Sequence, residues 1–580
     1  MRWRASALAA AACAAAALAP VPARAQAGLV RAIDLEQQGR YTEAAEAYRA
    51  VLMREPANLA ALLGAERTYG ETGWRDSTVA LARRALAVDS TNRTIHLVVL
   101  RSLRALRNDT AAAAAFERWV ALAPRDPGPY QEQARLLAAE GRGAEARAVI
   151  QRARSRLGDP TACAAELAQV EMREGNYLRA AEEWRAATAR EPRALDAASY
   201  SLQATPPADR ERLLRELTGS RQGEAGRRLA VDMLLGWNEP RRAWEMARGS
   251  LPDSLGRRAE ALRWFVQRAG RADGLEARRV VGEALELLAA QQTGAEAAGI
   301  RVESARAFAE AGDRAAARRM LRAIADAPGA PPAVVGAARA TLIDVAAAEG
   351  NVAEAVRLLE ADRSRLPVRD VLRLSRRVAF ALVRAGELDR AVAAVAGDSS
   401  LGGEEVRGWV AVYRGDLRGG AATLRAVGAD AGDPARAADR AAAVALAALA
   451  GRDSLPELGA ALLRVAQGDT AGGGHALAAV GRRLGGDAEP EAMLWAARLA
   501  ESARDSAAAE ALWGEIAQRF AVTPAGAVSQ LALARLAAAR GQYSAAAARL
   551  EELILRNPGS ALVPEARREL DRVRGLVPRT

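Results

Sequence analysis

Residues 39–56 read GRYTEAAEAYRAVLMREP, and this stretch carries the signals of a helix that follows a tight turn. A glycine opens the stretch and Pro56 closes it, and proline cannot continue a helix because it has no amide hydrogen. Between them Ala44, Tyr48 and Leu52 recur at the spacing of one helical face. The stretch therefore predicts a helix that buries this face and stops before the proline.

The same pattern returns along the chain at a fixed period. It places a glycine at the break, an aromatic residue on the buried face and a proline at the stop. The matching positions are Gly39, Gly73, Gly141 and Gly175, then Tyr48, Phe116 and Trp184, then Pro56, Pro124 and Pro192. Arg107 stands where glycine is expected, and Ser90 and Gly158 stand where proline is expected. A period of about 34 residues indicates helix-turn-helix units that bury their apolar faces by stacking on their neighbours.

These small, aromatic and proline positions, in register five times over residues 26–192, resemble the tetratricopeptide repeat family. The resemblance implies an all-α fold, a right-handed superhelical solenoid of stacked antiparallel helix hairpins. It also implies that the first helix of each hairpin lines a concave groove that holds segments of partner proteins. Binding without catalysis is the function that follows from it.

Beyond residue 204 the strict period ends, but the hairpin pattern continues. Gly312, Gly350 and Gly386 each stand five residues before a small residue and nine before a large one, as in the first units. Residues 507–520 align with residues 545–558 at an offset of 38, and residues 541–570 are similar to the repeat ends of bacterial envelope proteins. The pattern favours one continuous solenoid over two domains. The predicted segments are a signal peptide at 1–25, regular repeats at 26–204, degenerate hairpins at 205–490 and C-terminal repeats with a capping helix at 491–580.

The N-terminus predicts export from the cytoplasm. It has a basic start, an apolar run at residues 5–18 and a small-x-small cleavage site at Ala23-Arg24-Ala25, which together match a secretory signal peptide. Cys13 lacks a leucine three positions before it, which disfavours a lipoprotein. Elsewhere no segment has the roughly 18 uninterrupted apolar residues of a spanning helix. We expect a protein of the periplasm or cell envelope that does not span a membrane, and association with the outer membrane stays open.

Charge and reactive residues give little support for other function classes. The net charge is +11, but all basic residues are arginine and the chain is rich in alanine and glycine, a bias that GC-rich codon usage produces, so nucleic-acid binding is not predicted. His96 and His475 are not in a metal-binding spacing, and His96 is expected in the core. Cys163, the one cysteine of the mature chain, is expected to be a small buried hydrophobe. We predict no catalytic residue, metal or cofactor.

The candidate binding residues are arginines of the first helices. Arg67, Arg101 and Arg135 are spaced by one period and fall at one point of the repeat. Stacked helices lie about 8–10 Å apart and an extended peptide advances about 3.3 Å per residue. An acidic protein segment with a negative group at every third residue could therefore contact all three. Arg104 and Arg173 lie near them in register and complete the predicted site.

Two local alternatives stay open at this level. An arginine-rich chain scatters arginines by composition, and Glu71 or Glu132 could neutralise these residues in surface ion pairs. In the second repeat Glu66 occupies a close helix contact that is alanine elsewhere. Its carboxylate could accept a hydrogen bond from Thr78, or a one-residue register shift could expose it.

Two functions of different classes are consistent with the pattern. The first is a non-enzymatic scaffold of the bacterial cell envelope that binds partner proteins in its groove. The alternative is an accessory protein of polysaccharide export or outer-membrane assembly. A neighbouring secretion operon would favour a role in polysaccharide export, whereas co-purification with an outer-membrane assembly complex would favour the scaffold.

Overall fold

A computed structural model of the chain describes residues 23–219, 223–428 and 436–576. In these residues the regular elements are helices, and an isolated bridge between Asp416 and Ser454 is the only extended pairing. Most of the predicted signal peptide, with Cys13, lies outside the described residues, and residues 23–25 belong to the first helix. No helix of the described part is long and apolar enough to cross a bilayer.

The chain divides into two compact units, Met1–Val280 and Val281–Thr580. Helices before and at the division are α1 (Ala23–Gln37), α2 (Tyr41–Arg54), α3 (Leu59–Thr72), α4 (Arg75–Val88), α5 (Arg93–Ala105), α6 (Asp109–Leu122), α7 (Gly128–Ala139), α8 (Gly143–Leu157), α9 (Ala164–Arg173), α10 (Tyr177–Arg190), α11 (Leu195–Leu202), α12 (Pro207–Thr218), α13 (Gly223–Gly236), α14 (Pro240–Gly249), α15 (Leu255–Ala269) and α16 (Leu275–Ala289).

The second unit continues with α17 (Gly294–Glu310), α18 (Arg314–Ala325), α19 (Pro332–Ala348), α20 (Val352–Asp362), α21 (Val368–Arg384), α22 (Leu388–Ala394), α23 (Leu401–Tyr413), α24 (Leu417–Val427), α25 (Ala437–Ala450), α26 (Pro456–Ala466), α27 (Thr470–Leu484), α28 (Ala488–Ser502), α29 (Ser506–Arg519), α30 (Pro524–Ala539), α31 (Tyr543–Arg556) and α32 (Val563–Arg574). Within each unit, consecutive helices joined by short loops pack on each other, which is the arrangement of antiparallel hairpins. The predicted all-α hairpin fold is confirmed. The predicted segment boundaries at 204 and 490 stay predictions.

The repeat period is a property of the backbone in the first unit. The second helices of the first five hairpins begin at residues 41, 75, 109, 143 and 177. Two residues before each start the backbone is left-handed, at Gly39, Gly73, Arg107, Gly141 and Gly175, with φ of 74°, 79°, 55°, 78° and 78°. This conformation favours glycine because a side chain is strained there. Arg107 therefore occupies the predicted break despite its side chain.

Prolines and aromatics act as the sequence predicts. Helices α2, α6 and α10 each end two residues before Pro56, Pro124 and Pro192. Tyr48, Phe116 and Trp184 are buried core fillers. The Tyr48 ring lies directly against α3, since a Cβ at Gly64 would overlap its ring carbons.

The pattern also holds in the second unit, with one correction. Gly312, Gly350 and Gly386 are left-handed, and the alanines five residues after them are fully buried. The predicted offset of 38 near the C-terminus is wrong. The left-handed residues Arg504 and Gly541 set the register, and their positions give an offset of 37. With this offset Trp513 is the counterpart of Leu550, whereas the offset of 38 would have paired Leu550 with Leu512.

Ala180 of α10 should not tolerate a larger side chain. It is fully buried on α10, and this helix packs on α9, its partner in the hairpin. We expect Ala180→Leu to lower stability by about 1–3 kcal/mol through overpacking. Ala189 on the same helix is exposed and gives the matched control. Equal shifts of the thermal midpoint for Ala180→Leu and Ala189→Leu would contradict the assigned packing.

Candidate binding face on the first helices

The predicted arginines lie on successive first helices of the first unit. Arg67 is on α3, Arg101 on α5 and Arg135 on α7, and we call these three residues the arginine ladder. Their side chains are 59, 40 and 49% exposed. The ladder therefore presents three partly solvated guanidinium groups, one for each repeat.

Arg67 is held by the preceding first helix. Its Nε and Nη2 donate to the Glu36 carboxylate over 2.7 and 3.0 Å. The buried Tyr48 hydroxyl donates to the same carboxylate over 2.6 Å. The hydrogen bond from Arg67 lowers the pKa of Glu36, and the bond to Glu36 raises the pKa of Arg67. Glu36 thus joins the ladder to the core of the first hairpin.

The contacts of Arg101 decide between the two alternatives for Glu66, a hydrogen bond with Thr78 or a register shift. The Nε and Nη2 of Arg101 donate to the two Glu66 carboxylate oxygens over 2.9 and 2.6 Å. The carboxylate is 19% exposed, and its partner is the arginine of the next repeat rather than Thr78. Glu66 therefore faces the ladder, and the helix keeps its register because Gly73 still ends it.

Arg135 contacts two carboxylates. Its Nη2 donates to Glu166 of the following first helix over 2.7 Å, and its Nη1 donates to Glu132 over 3.2 Å. Glu132 is one of the two acidic residues that the sequence suggested as a neutralising partner. Glu166 is buried, so this contact bridges α7 and α9 beneath the exposed guanidinium.

The other two predicted residues have different settings. Arg104 is buried, with its side chain 6% exposed, and its Nη1 donates to Asp109 over 2.7 Å and to Glu140 over 3.3 Å. Arg173 is exposed and donates to the backbone carbonyl of Ala138 on the preceding first helix. Arg173 therefore extends the ladder by one repeat. Arg104 does not, because it is buried and pairs with Asp109 and Glu140.

A cleft of about 700 Å³ adjoins the end of the ladder. Glu166, the partner of Arg135, lines it together with Cys163 and the exposed Arg125 and Arg156. Cys163 has a left-handed backbone just before α9, and burial raises the pKa of its thiol to about 12. The thiol is therefore a packing group, as predicted, and the charged lining of the cleft is balanced, with Arg125, Arg156 and Arg190 against Asp159, Glu166 and Glu191.

The two histidines have different surroundings in the described part of the chain. His96 is buried, stacks on Trp119 with ring centroids 5.5 Å apart and contacts the Ser90 carbonyl through Nε2 over 2.8 Å. Burial lowers the pKa of His96, which is the behaviour of a core histidine. His475 is exposed. Among the described residues no group of His, Cys, Asp and Glu is placed to hold a metal ion.

Apart from Glu132, the carboxylate partners of the ladder were missed at the sequence level, although a signal for them exists. Glu36 and Glu166 stand 31 positions from their arginines, three fewer than one repeat, and Glu66 stands 35 positions away, one more than a repeat. Other bridges with this separation are Arg152–Glu117, Arg242–Glu211, Arg241–Glu276 and Arg440–Glu405. Opposite charges at this separation mark the contacts between neighbouring repeats.

No family profile and no curated protein matches the chain. Solved structures similar to it include repeat proteins. A thermophilic TPR protein of Thermus thermophilus is 20% identical over 31% of this chain and 98% of its own, with a TM-score of 0.23. A tetratricopeptide repeat protein of Parabacteroides merdae is 14% identical over 45% and 98%, with a TM-score of 0.24. The pentatricopeptide repeat protein PPR10 of maize is 13% identical over 96% and 99%, with a TM-score of 0.32.

By its own geometry the chain is an all-α protein of repeated helix hairpins, the fold that its resemblance to the tetratricopeptide repeat family implies. The second helices of the first five hairpins begin once in every period, the turns before them are left-handed at the predicted position, and consecutive helices pack on each other. The similarity of residues 541–570 to envelope proteins stays a prediction.

Proposed function

We propose that this protein is a non-enzymatic interaction scaffold of the bacterial cell envelope and is exported by its signal peptide. It holds an acidic segment of a partner protein on the surface where the arginine ladder lies, which we call the first-helix face. The arginine ladder carries the proposal. It places one partly exposed guanidinium on each of three successive first helices. Such regular spacing suits an extended segment that crosses the repeats.

The ion pairs of the ladder define how a partner would bind. Each guanidinium has five N–H donors and uses only some of them on its own carboxylate, so a second carboxylate can share it. A partner must still compete with Glu36, Glu66 and Glu166, which keeps each single contact weak. Recognition therefore depends on the simultaneous contact of several repeats, and a segment with one acidic residue should bind poorly.

The test replaces the ladder as a set. We expect Arg67→Ser, Arg101→Ser and Arg135→Ser together to abolish capture of the acidic partner from a cell-envelope extract. The chain offers a matched control in Arg84, Arg118 and Arg152, which have the same spacing along the chain but are exposed on second helices. The same three changes to serine there remove equal charge and should leave capture intact.

Stability must be followed in parallel because the ladder also joins repeats. Partly exposed ion pairs contribute about 0–1 kcal/mol each, so the ladder variant should keep its helical circular dichroism spectrum and lose only a few degrees in thermal midpoint. Equal recovery of the partner by the ladder variant and the wild type would refute the ladder as the binding site. Equal loss of capture in both triple variants would point to general charge attraction instead.

A further inference from the structure

A second pocket in the first unit lies outside the ladder. It has a volume of about 260 Å³ and is formed by α13, α14, α15 and the loop that joins the last two. Neither the ladder nor its carboxylate partners line it. The pocket therefore contacts its ligand through residues other than those described above.

The interior of the pocket is aromatic. Trp244 and Phe265 are buried with ring centroids 5.0 Å apart, and Trp264 is half-buried beside them. The lining also includes Ser250, whose hydroxyl donates to backbone carbonyls of α14, and a set of aliphatic groups, namely Val231, Ala247, Leu251, Pro252, Ala261 and Leu262. An interior of this kind takes an apolar group, because the aromatic faces offer a large contact area at low entropic cost.

One polar atom of this interior lacks a partner. The Nε1–H of Trp244 is buried and has no hydrogen-bond acceptor among the described residues. Buried donors are normally paired, so an orphaned indole N–H beside a cavity suggests an acceptor that arrives with an occupant.

The rim of the pocket is positively charged. Arg227, Arg228 and Arg257 line it, with Glu224 as the one acidic residue. Glu224 pairs with Arg228 over 2.5 Å, and Arg228 also lies 5.6 Å from the Trp264 ring centroid. Arg227 is half-buried and Arg257 is exposed, and neither has an ion pair among the described residues. The rim thus has two arginines available to carboxylates around an apolar centre.

The size of the pocket limits its occupant. Pockets for whole small molecules measure about 300–1,000 Å³, and this one lies below that range. We propose that the pocket binds one aromatic side chain of a partner protein segment, with acidic residues on either side of it that pair with Arg227 and Arg257. This inference rests on the scaffold function above and specifies its partner as an acidic segment with an aromatic anchor.

The test uses the purified full-length protein and three short peptides, so that it does not depend on the partner in envelope extract. Acetyl-Asp-Phe-Asp-amide is the probe, and acetyl-Asp-Ala-Asp-amide and acetyl-Arg-Phe-Arg-amide remove its aromatic and acidic parts in turn. Calorimetry should show saturable binding of the probe and an affinity loss of about tenfold or more for each comparison peptide. The ¹⁵N indole signal of Trp244, assigned with Trp244→Phe, should shift on titration.

Two variants locate the site. Arg257→Glu changes an exposed rim residue and should weaken probe binding by about tenfold or more, whereas Arg248→Glu, exposed on α14 outside the pocket, should leave it unchanged. Equal binding of all three peptides, or an unmoved Trp244 signal at saturation, would overturn the proposal. So would self-association of the chain that Arg257→Glu abolishes, because the occupant would then be a second copy. Failure of the peptides while the ladder variant still loses extract capture would reject the pocket and retain the scaffold.

Discussion

Replacement of Arg440 by methionine is expected to destabilise the second unit strongly. Arg440 of α25 and Glu405 of α23 form an ion pair in which both side chains are 3% exposed. Arg440 also donates to the Gly428 carbonyl over 2.9 Å. Removal of one member of a buried pair costs about 3–5 kcal/mol, because the other charge loses its main compensation away from water. Urea denaturation should show a correspondingly lower midpoint.

The comparison variants separate charge burial from packing. Changing both residues to methionine should cost much less than either single change, because no buried charge remains. Arg418 and Asp453 form a pair of the same sequence separation with both side chains 77% exposed, and Arg418→Met should have little effect. Additive losses in the double variant would show that the pair is not coupled in this way.

Substitution of Gly459 by alanine is the second change with a large expected effect. Gly459 lies in α26 where this helix crosses the end of α23, and a Cβ there would come within 2.6 Å of the Val412 carbonyl oxygen and 2.7 Å of the Gly415 nitrogen. These contacts are backbone atoms that cannot move aside without separating the helices. We expect Gly459→Ala to lower stability by at least about 1–3 kcal/mol.

A glycine with free space around it should show the opposite change in stability when it is replaced by alanine. Gly514 lies inside α29, and a Cβ there would meet nothing within 4 Å. Gly514→Ala should therefore raise stability by roughly 0.5–1 kcal/mol, since alanine has the higher helix propensity. Thermal midpoints that move in the same direction for both variants would contradict the close helix approach at Gly459.

The hairpins could be predicted because their signals are local. A left-handed turn, a small residue and a large one lie within a few positions of each other, and each limits the backbone directly. The error in the C-terminal offset arose where one of these local signals is missing from the sequence. Arg504 adopts the left-handed conformation without being glycine, so the break that sets the offset of 37 was not visible as a break.

The candidate sites depend on how neighbouring repeats stack. The sequence predicts these contacts between repeats only in part. The repeat period placed the ladder on first helices, but its pairing with Glu36, Glu66 and Glu166 depends on which turns of adjacent helices face each other. The aromatic pocket had no sequence signal of its own. Trp244 and Phe265 match ordinary core positions, and the cavity arises from the way that α15 meets α13 and α14.

Site-specific photo-cross-linking tests most directly whether partners bind on the first-helix face. Ala105 and Ala139 are exposed on α5 and α7, four residues after Arg101 and Arg135. The matched outer positions, also exposed and with the same spacing along the chain, are Ala114 and Ala148 on α6 and α8. With a photoreactive phenylalanine analogue at each position in turn, we expect partner adducts from envelope extract at residues 105 and 139 and none at 114 and 148. Adducts confined to residues 114 and 148 would contradict binding on the first-helix face.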